Sequence, residues 1–347
     1  MLSSQKQAPK MKIKQHVSLF PYNTFGINHM ASFFVEVSDV EDLKKALLWA
    51  KENKHEILII GGGSNILLTQ DFKGLVILIK LLGVEILKED QDEVFVKVGA
   101  GENWHAFVMQ SIEKGWCGIE NLSLIPGTVG ASPMQNIGAY GVEIKEVFYE
   151  LEALNRESLE LETFNKTECQ FGYRESIFKN KAKGKYIISS VTFRLSKNPT
   201  LNTEYGIIKE TLKEMGIQEV TVRDVSKAVI KIRESKLPNP AEIGNAGSFF
   251  KNPTISQESF EALKKQYSNI PGYVQKNGVK VPAAWLIENS GWKGKRFGNI
   301  GVHQKQPLVL VNYGQGEGKE IVELAKKIQS SVKEKFDILL MPEVNFV

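Results

Sequence analysis

The sequence predicts an α+β protein with mixed sheets and more than one domain, on three observations. Its 347 residues exceed one domain of about 100–200 residues. Helical and strand patterns interleave toward both ends, whereas the middle, residues 147–195, is strand-rich. An apolar tail at residues 338–346 reads as a strand that needs a sheet to join, and is expected to return to the N-terminal part.

Taken in order, Ser38 and Glu41 fit a capping box, and the helix that follows would bury Leu43, Ala46, Leu47 and Ala50 on one face. Residues 57–60 are a short apolar run ending in three glycines, the pattern of a buried strand feeding a tight loop. The next strand is expected over residues 75–82. Val94, Val96 and Val98 alternate with polar neighbours, as in a half-buried strand. A helix over residues 103–114 would stop before Gly115. Residues 186–195 are the clearest strand of the middle, and helical patterns follow near residues 204–215 and 222–235. Leu237-Pro238-Asn239-Pro240 cannot continue a helix and marks a domain boundary. Beyond it, helices are expected over residues 256–267, with Phe260, Leu263 and Tyr267 on one face, over 282–289, and over 317–335, with Ile321, Leu324, Ile328 and Val332 inward. Residues 308–311 read as a strand.

Several function classes are disfavoured. Lys and Arg number 44 against 40 Asp and Glu, and the net charge of +4 does not indicate nucleic acid, though it suits an anionic small substrate. Cys117 and Cys169 are far apart, which argues against a disulfide framework or a thiolate metal site. The five His show no metal-ligand spacing, so no metal is expected. Residues 1–15 are basic and polar without the apolar core of a secretory signal. The most apolar stretch, residues 75–87, is broken by Lys80, Gly83 and Glu85, short of the roughly 18 apolar residues of a membrane span. A soluble protein of the reducing cytoplasm is expected, with no membrane insertion.

Two glycine-rich segments stand out. Gly61-Gly62-Gly63-Ser64-Asn65 follows a strand, where bare backbone N–H groups can approach an anion and Ser64 and Asn65 can add donors. A plain tight turn explains the glycines equally well. It is neither a Walker loop, lacking the Gly-Lys-Ser/Thr ending, nor a good Rossmann fingerprint, because Ile66 takes the third glycine's place. The second segment is Pro126-Gly127-Thr128-Val129-Gly130-Ala131-Ser132-Pro133-Met134-Gln135-Asn136-Ile137-Gly138-Ala139-Tyr140-Gly141. It has irregular glycines, two stiffening prolines, the small polar residues Thr128, Ser132, Gln135 and Asn136, and no charge. Such a segment can wrap a large neutral-to-anionic cofactor, although a structural loop would also read this way.

Three single residues can carry chemistry. Arg174, in Phe171-Gly172-Tyr173-Arg174-Glu175-Ser176-Ile177-Phe178-Lys179, offers a planar, permanently charged fork; a surface ion pair with Glu175 is the bland alternative. Ser248, in Gly247-Ser248-Phe249-Phe250, is not in a nucleophile elbow, but a hydroxyl held in a dry pocket could deliver a proton. It could equally satisfy a nearby backbone group. Glu343, in Met341-Pro342-Glu343-Val344-Asn345-Phe346, is a carboxylate among apolar neighbours at a strand end, able to act as an acid, or else an outward charge on an edge strand.

The two glycine segments resemble the FAD-binding domain of the vanillyl-alcohol oxidase type. The wording Leu122-Ser123-Leu124-Ile125-Pro126-Gly127 and Gln135-Asn136-Ile137-Gly138-Ala139-Tyr140-Gly141 is closest to the UDP-N-acetylenolpyruvoylglucosamine reductase (MurB) family. The resemblance runs from about Asn23 to Phe346, with motifs in the family's order, and leaves residues 1–15 outside. It implies a three-domain flavoprotein. Residues 1–82, joined by the C-terminal strand 336–347, would form one FAD subdomain and residues 83–235 the second; residues 236–335 would bind substrate. It implies non-covalent FAD, since neither loop has a His or Cys, and NADPH as hydride donor. FAD would be held by Gly61, Gly62, Gly63, Ser64 and Asn65, by Pro126, Gly127, Thr128, Gly130, Ala131 and Ser132, by Gln135, Asn136, Gly138, Ala139 and Gly141, and by Arg174. Arg174, Ser248 and Glu343 would be catalytic, with Ser248 the proton donor. Tyr205, in Asn202-Thr203-Glu204-Tyr205-Gly206, resembles the tyrosine loop of one subclass; with Lys236, Asn252 and Gln306 it would contact a UDP-sugar. His303 has no role in this scheme and reads as a satisfied structural His. The implied reaction is reduction of UDP-N-acetylglucosamine enolpyruvate to UDP-N-acetylmuramate. That would place the protein, as a monomer, in peptidoglycan precursor synthesis, and so in cell-wall biogenesis, cell shape and division.

Two other classes stay open. A flavoprotein oxidase would consume oxygen with an alcohol and ignore NADPH; the Ser248 and Glu343 motifs argue against it. A non-catalytic nucleotide-binding module would bind a UDP-sugar without flavin, and the acid and donor residues argue against that.

Overall fold

The structure, a computed structural model, describes residues 11–347, so most of the basic N-terminal segment of residues 1–15 lies outside the described residues. Helices and strands mix along the whole chain, an α+β architecture. Packing divides it into two compact units: residues up to Val17, Ala31–Gly61 and Phe72–Val229 form the first, and Ser18–Met30, Gly62–Asp71 and Ile230–Val347 the second.

The first unit holds two sheets. In the four-stranded one, Lys14–Ser18, Met30–Val37, Phe72–Ile79 and Ile57–Ile60 lie side by side in that order. The last three are parallel, with Phe34 opposite Val76 and Ile59 opposite Ile77. A parallel pair needs a crossover, and the helix Val40–Glu52 supplies it. Leu43, Ala46, Leu47 and Ala50 are buried, three and four residues apart as one helical face requires, and pack with Leu75, Ile77 and Ile79. The cap differs from expectation. Asp39, not Ser38, is the N-cap, with extended backbone (φ −145°, ψ 168°) and a carboxylate that accepts from Asp42 N at 2.7 Å.

The second sheet is five-stranded and antiparallel, in the order Leu161–Asn165, Phe148–Asn155, Tyr186–Ser196, Glu93–Gly99, Val84–Glu89. Val94, Val96 and Val98 are fully buried, and Val96 sits opposite Phe193. Against this face lies the helix Trp104–Glu113, capped by Asn103 Oδ1 accepting from Ala106 N at 2.9 Å and ended before Gly115 at φ 75°. Trp104 meets Phe193 edge-on and Phe107 packs tilted against it, and Trp104 Nε1 donates to Leu122 O at 2.9 Å, which fixes the chain just before the second glycine segment.

The second unit has a four-stranded sheet of Gly244–Asn245, Leu310–Asn312, Ile300–Val302 and Arg296–Phe297, and a three-stranded one of Thr254–Ile255, Gly278–Lys280 and Tyr273–Gln275. The helix Gly318–Phe336 buries Ile321, Leu324, Ile328 and Val332 as its periodicity requires. The tail is less regular than expected. Only Asn345–Phe346 is a strand, parallel to Ile66–Leu67, because the tail changes partner along its length: Met341 and Glu343 bond instead to Lys251 and Phe249. What remains is an isolated bridge between Pro342 and Phe250.

Candidate active site

In the first unit the second glycine segment is laid down by backbone hydrogen bonds. Trp104 N donates to Gly127 O at 3.1 Å, Val129 N to Glu102 O at 2.9 Å and Gly130 N to Ala100 O at 2.9 Å. Glycine is required by close approach: a Cβ on Gly130 would lie 2.5 Å from Ala100 Cβ, and one on Gly61 only 2.4 Å from Thr128 Oγ1. Gly61 and Thr128, from the two loops singled out in the sequence, therefore adjoin. Ala131 ends a short 3-10 turn, and Ser132, 1% exposed, donates to Val129 O at 2.7 Å. Gly138–Ala139 then pairs with Val142–Glu143 around a turn of Tyr140 and Gly141, both at positive φ.

The Arg174 segment is fastened onto this loop. Gly172 and Glu175 exchange backbone hydrogen bonds of 3.0 and 3.2 Å, and Arg174 sits between them at φ 56°, a left-handed conformation that non-glycine residues rarely take. Four ties join the two pieces: Asn136 Nδ2 to Gly172 O at 2.9 Å, Ser176 Oγ to Met134 O at 2.6 Å, Lys179 Nζ to Gln135 Oε1 at 3.3 Å, and Arg174 Nη2 to Gly138 O at 2.7 Å. Ser176 was not singled out from the sequence, although it lies inside the quoted motif; its signal is a hydroxyl held two residues from the charged fork. Tyr205, 51% exposed, meets Tyr140 edge-on at 5.6 Å, and its loop is anchored by Asn121 Nδ2 donating to Asn202 O at 2.9 Å and to Tyr140 O at 3.1 Å. Asn121 also escaped the sequence reading, since nothing local marks it.

In the second unit, Gly63 takes φ 60°, and a Cβ there would fall 2.0 Å from Tyr22 O. Asn65 ties this loop to the tail: its Nδ2 donates to Glu343 O at 3.3 Å, and its carbonyl accepts from Asn345 N at 3.0 Å. Glu343 N donates to Phe249 O at 2.8 Å and Lys251 N to Met341 O at 2.9 Å, so Ser248 and Glu343 lie on adjoining extended segments. Phe249 and Phe250 are buried, and Phe249 N donates to Leu308 O at 2.7 Å. Ser248 itself is exposed and Glu343 half-buried. The dry pocket expected around Ser248 is therefore not made by the chain alone, because the two phenylalanines turn inward and leave the hydroxyl outside.

The remaining expected contacts belong to the same unit. Asn252 Oδ1 accepts from Ala283 N at 2.9 Å, at the start of the helix Ala283–Asn289. Lys236 is the half-buried last residue of the helix Val222–Lys236. Gln306 Oε1 accepts from Leu308 N at 3.4 Å, and Gln306 N donates to His303 Nδ1 at 3.3 Å. Burial, with Lys305 nearby, lowers the His303 pKa and so favours the neutral ring, in keeping with Nδ1 as the acceptor for Gln306 N. Burial pushes the thiol of Cys117 to about 11 and that of Cys169 to about 12, so neither is a ready nucleophile. Among the described residues no cluster of His, Cys, Asp and Glu could hold a metal, and no helix is long and apolar enough to cross a membrane.

Residues 126–141 thus present glycine-bared backbone beside an arginine, a donor set that fits the long, partly anionic body of FAD, whereas the side chains of Ser132 and Asn136, expected to contact it, are buried and donate within the protein. Residues 31–159 match the FAD binding domain family, and with the full-length relatives this match makes the chain an FAD-dependent oxidoreductase. Residues 239–347 match the C-terminal domain of UDP-N-acetylenolpyruvoylglucosamine reductase. Relatives of that name from Flavobacterium johnsoniae (53% identical over 340 residues, 97% of this chain and 100% of the relative) and Pseudomonas putida (49% over 333 residues, 96% and 98%) align along nearly the full length. The chain belongs to the UDP-N-acetylenolpyruvoylglucosamine reductase family. The crystal structure of the reductase (MurB) from Thermus caldophilus has the same fold, with a TM-score of 0.68 at 22% identity over 97% of this chain and 99% of that one.

Proposed function

We propose that the protein reduces the enolpyruvyl ether of UDP-N-acetylglucosamine enolpyruvate to UDP-N-acetylmuramate, with NADPH as the source of the hydride. The observation that best supports this, beside family membership, is the pairing of the Ser248 and Glu343 segments through Glu343 N and Phe249 O at 2.8 Å. FAD, when bound and first reduced by NADPH, would supply the hydride that the terminal vinyl carbon receives. Negative charge then develops at the adjacent carbon and spreads into the carboxylate. The Arg174 fork steadies that charge. Ser248 Oγ gives its proton to the adjacent carbon and, being exposed, regains one from solvent. Glu343 assists only when protonated or bridged by a donor, since a bare carboxylate would oppose the charge. Gly61–Asn65 and the residues of 126–141 other than Asn136, whose amide is buried and engaged at both ends, hold FAD through backbone and small donors. Tyr205, Lys236, Asn252 and Gln306 hold the UDP-sugar; residues 236–335 form the substrate-binding domain, and residues 1–82 with 336–347 and residues 83–235 form the two FAD subdomains. The reaction belongs to the cytoplasm, where NADPH and UDP-sugars are found, and serves peptidoglycan synthesis, and through it cell shape and division, with the protein acting as a monomer.

The test is an anaerobic visible spectrum of the purified protein, taken before NADPH, after NADPH, and after the enolpyruvyl UDP-sugar. The expected result is a flavin band that bleaches with NADPH and returns with the sugar. A band that bleaches without returning would overturn the substrate. A band untouched by NADPH would overturn the hydride donor.

A further inference from the structure

We propose that Asn136 is a positioning residue for Arg174: its side chain holds the turn that carries the guanidinium. The inference rests on the reading of Arg174 as the group that steadies the developing charge. Asn136 is 0% exposed and stands at φ 46°, in the left-handed region where asparagine is among the few residues tolerated without strain. Both ends of its amide are engaged: Nδ2 donates to Gly172 O at 2.9 Å, and Oδ1 accepts from Lys145 N at 3.2 Å. Sequence reasoning gave this residue a cofactor contact; its burial and partners give it a different task.

Gly172 opens the turn in which Arg174 takes φ 56°. An arginine persists in that conformation only when its surroundings over-determine it. Asn136 grips the turn at Gly172 O, and Arg174 Nη2 then reaches Gly138 O at 2.7 Å, only two residues along from Asn136. Asn136 and Gly138 therefore hold the arginine at both ends, one at the backbone and one at the guanidinium. A shift of the fork by a fraction of an ångström would weaken it where charge develops, with no loss of the cofactor.

Asn136→Asp keeps the shape, the tolerance of left-handed backbone and the acceptor for Lys145 N, but sets a carboxylate oxygen against Gly172 O. The experiment measures both half-reactions of the flavin-loaded enzyme for Asn136→Asp, Arg174→Lys and the double variant. In Asn136→Asp, flavin content is expected to hold and reduction by NADPH to stay within about twofold, while reduction of the enolpyruvyl UDP-sugar falls by about 10- to 100-fold, a loss in kcat. The double variant is expected to be no slower than Arg174→Lys alone, because an effect transmitted through the fork disappears with the fork. Flavin loss in step with activity, or a double variant slowed by the product of the two single effects, would overturn the inference. Unchanged turnover of Asn136→Asp beside a slow Arg174→Lys overturns the inference alone; unchanged turnover of Arg174→Lys overturns it together with the reading of Arg174. Should the aspartate variant not fold, Asn136→Gly, which keeps the left-handed backbone and removes both hydrogen bonds, carries the same outcomes.

Discussion

Arg174 Nη2 donates to the carbonyl oxygen of Gly138 at 2.7 Å, and Gly138 has no side chain to obstruct it. A Cβ there would lie 3.3 Å from Arg174 Nη1 and 2.9 Å from both Glu143 Cγ and Val142 O. Gly138→Ala is expected to destabilise the protein by about 1–3 kcal/mol through overpacking, and to slow reduction of the enolpyruvyl substrate by at least about tenfold as the fork is displaced. Thermal unfolding and kcat check the two separately. An unchanged kcat would show that the guanidinium tolerates displacement.

Ser248→Ala separates chemistry from folding. The hydroxyl is exposed, so stability should change by less than about 0.5 kcal/mol. Removing a proton donor should slow the second half-reaction by about 100- to 10,000-fold, with flavin reduction by NADPH unaffected. Stopped-flow absorbance of each half-reaction decides, and normal reoxidation by the sugar would end the proton-donor role.

Gly63→Ala tests the first loop. The position stands at φ 60°, and an added Cβ would fall 2.0 Å from Tyr22 O, a backbone atom that cannot swing aside. Left-handed strain alone costs about 1–2 kcal/mol for an alanine, and the collision adds to it. Loss of bound flavin with a lowered Tm is expected; a fully loaded, equally stable variant would mean the loop can shift without consequence.

His303 gives a pH dependence with a definite sign. Its pKa is lowered by burial and, secondarily, by Lys305. The unfolded chain takes up a proton near pH 6.5, about the ordinary value, while the folded ring resists it. The folded state therefore binds fewer protons in the window just below that pH. The stability present above it declines as pH falls from the unfolded pKa toward the lower folded one. His303→Gln keeps an acceptor for Gln306 N and removes the titration, so its Tm should fall less steeply over this window than that of the parent. Parallel slopes would assign the dependence to other groups.

Much of the architecture was legible because it rests on patterns read within a few residues. Leu43, Ala46, Leu47 and Ala50 repeat at helical spacing, and so do Ile321, Leu324, Ile328 and Val332; each set is buried as one face. The glycine loops announced themselves in the same way. The helix cap slipped by one residue because Ser38 and Asp39 are both competent caps, and it is Asp39 whose extended backbone and carboxylate meet Asp42 N. The long tail strand was not legible as two short pairings, because residues 341–343 meet residues 249–251 and only Asn345–Phe346 meets Ile66–Leu67, partners remote in the chain.

The sequence by itself determined the α+β class, the helical faces, the two glycine loops and the segments bearing Arg174, Ser248 and Glu343, because residue type and local spacing carry that information. Only the tertiary structure decided what the polar side chains hold. Asn65 reaches Glu343 O across 278 positions, Asn136 reaches Gly172 O across 36, and Asn252 meets Ala283 N across 31. An amide presents one donor end and one acceptor end wherever it lies, and nothing near it in sequence names its partner. The exposure of Ser248 was settled in the same way, by the inward turn of Phe249 and Phe250 against residues remote in the chain.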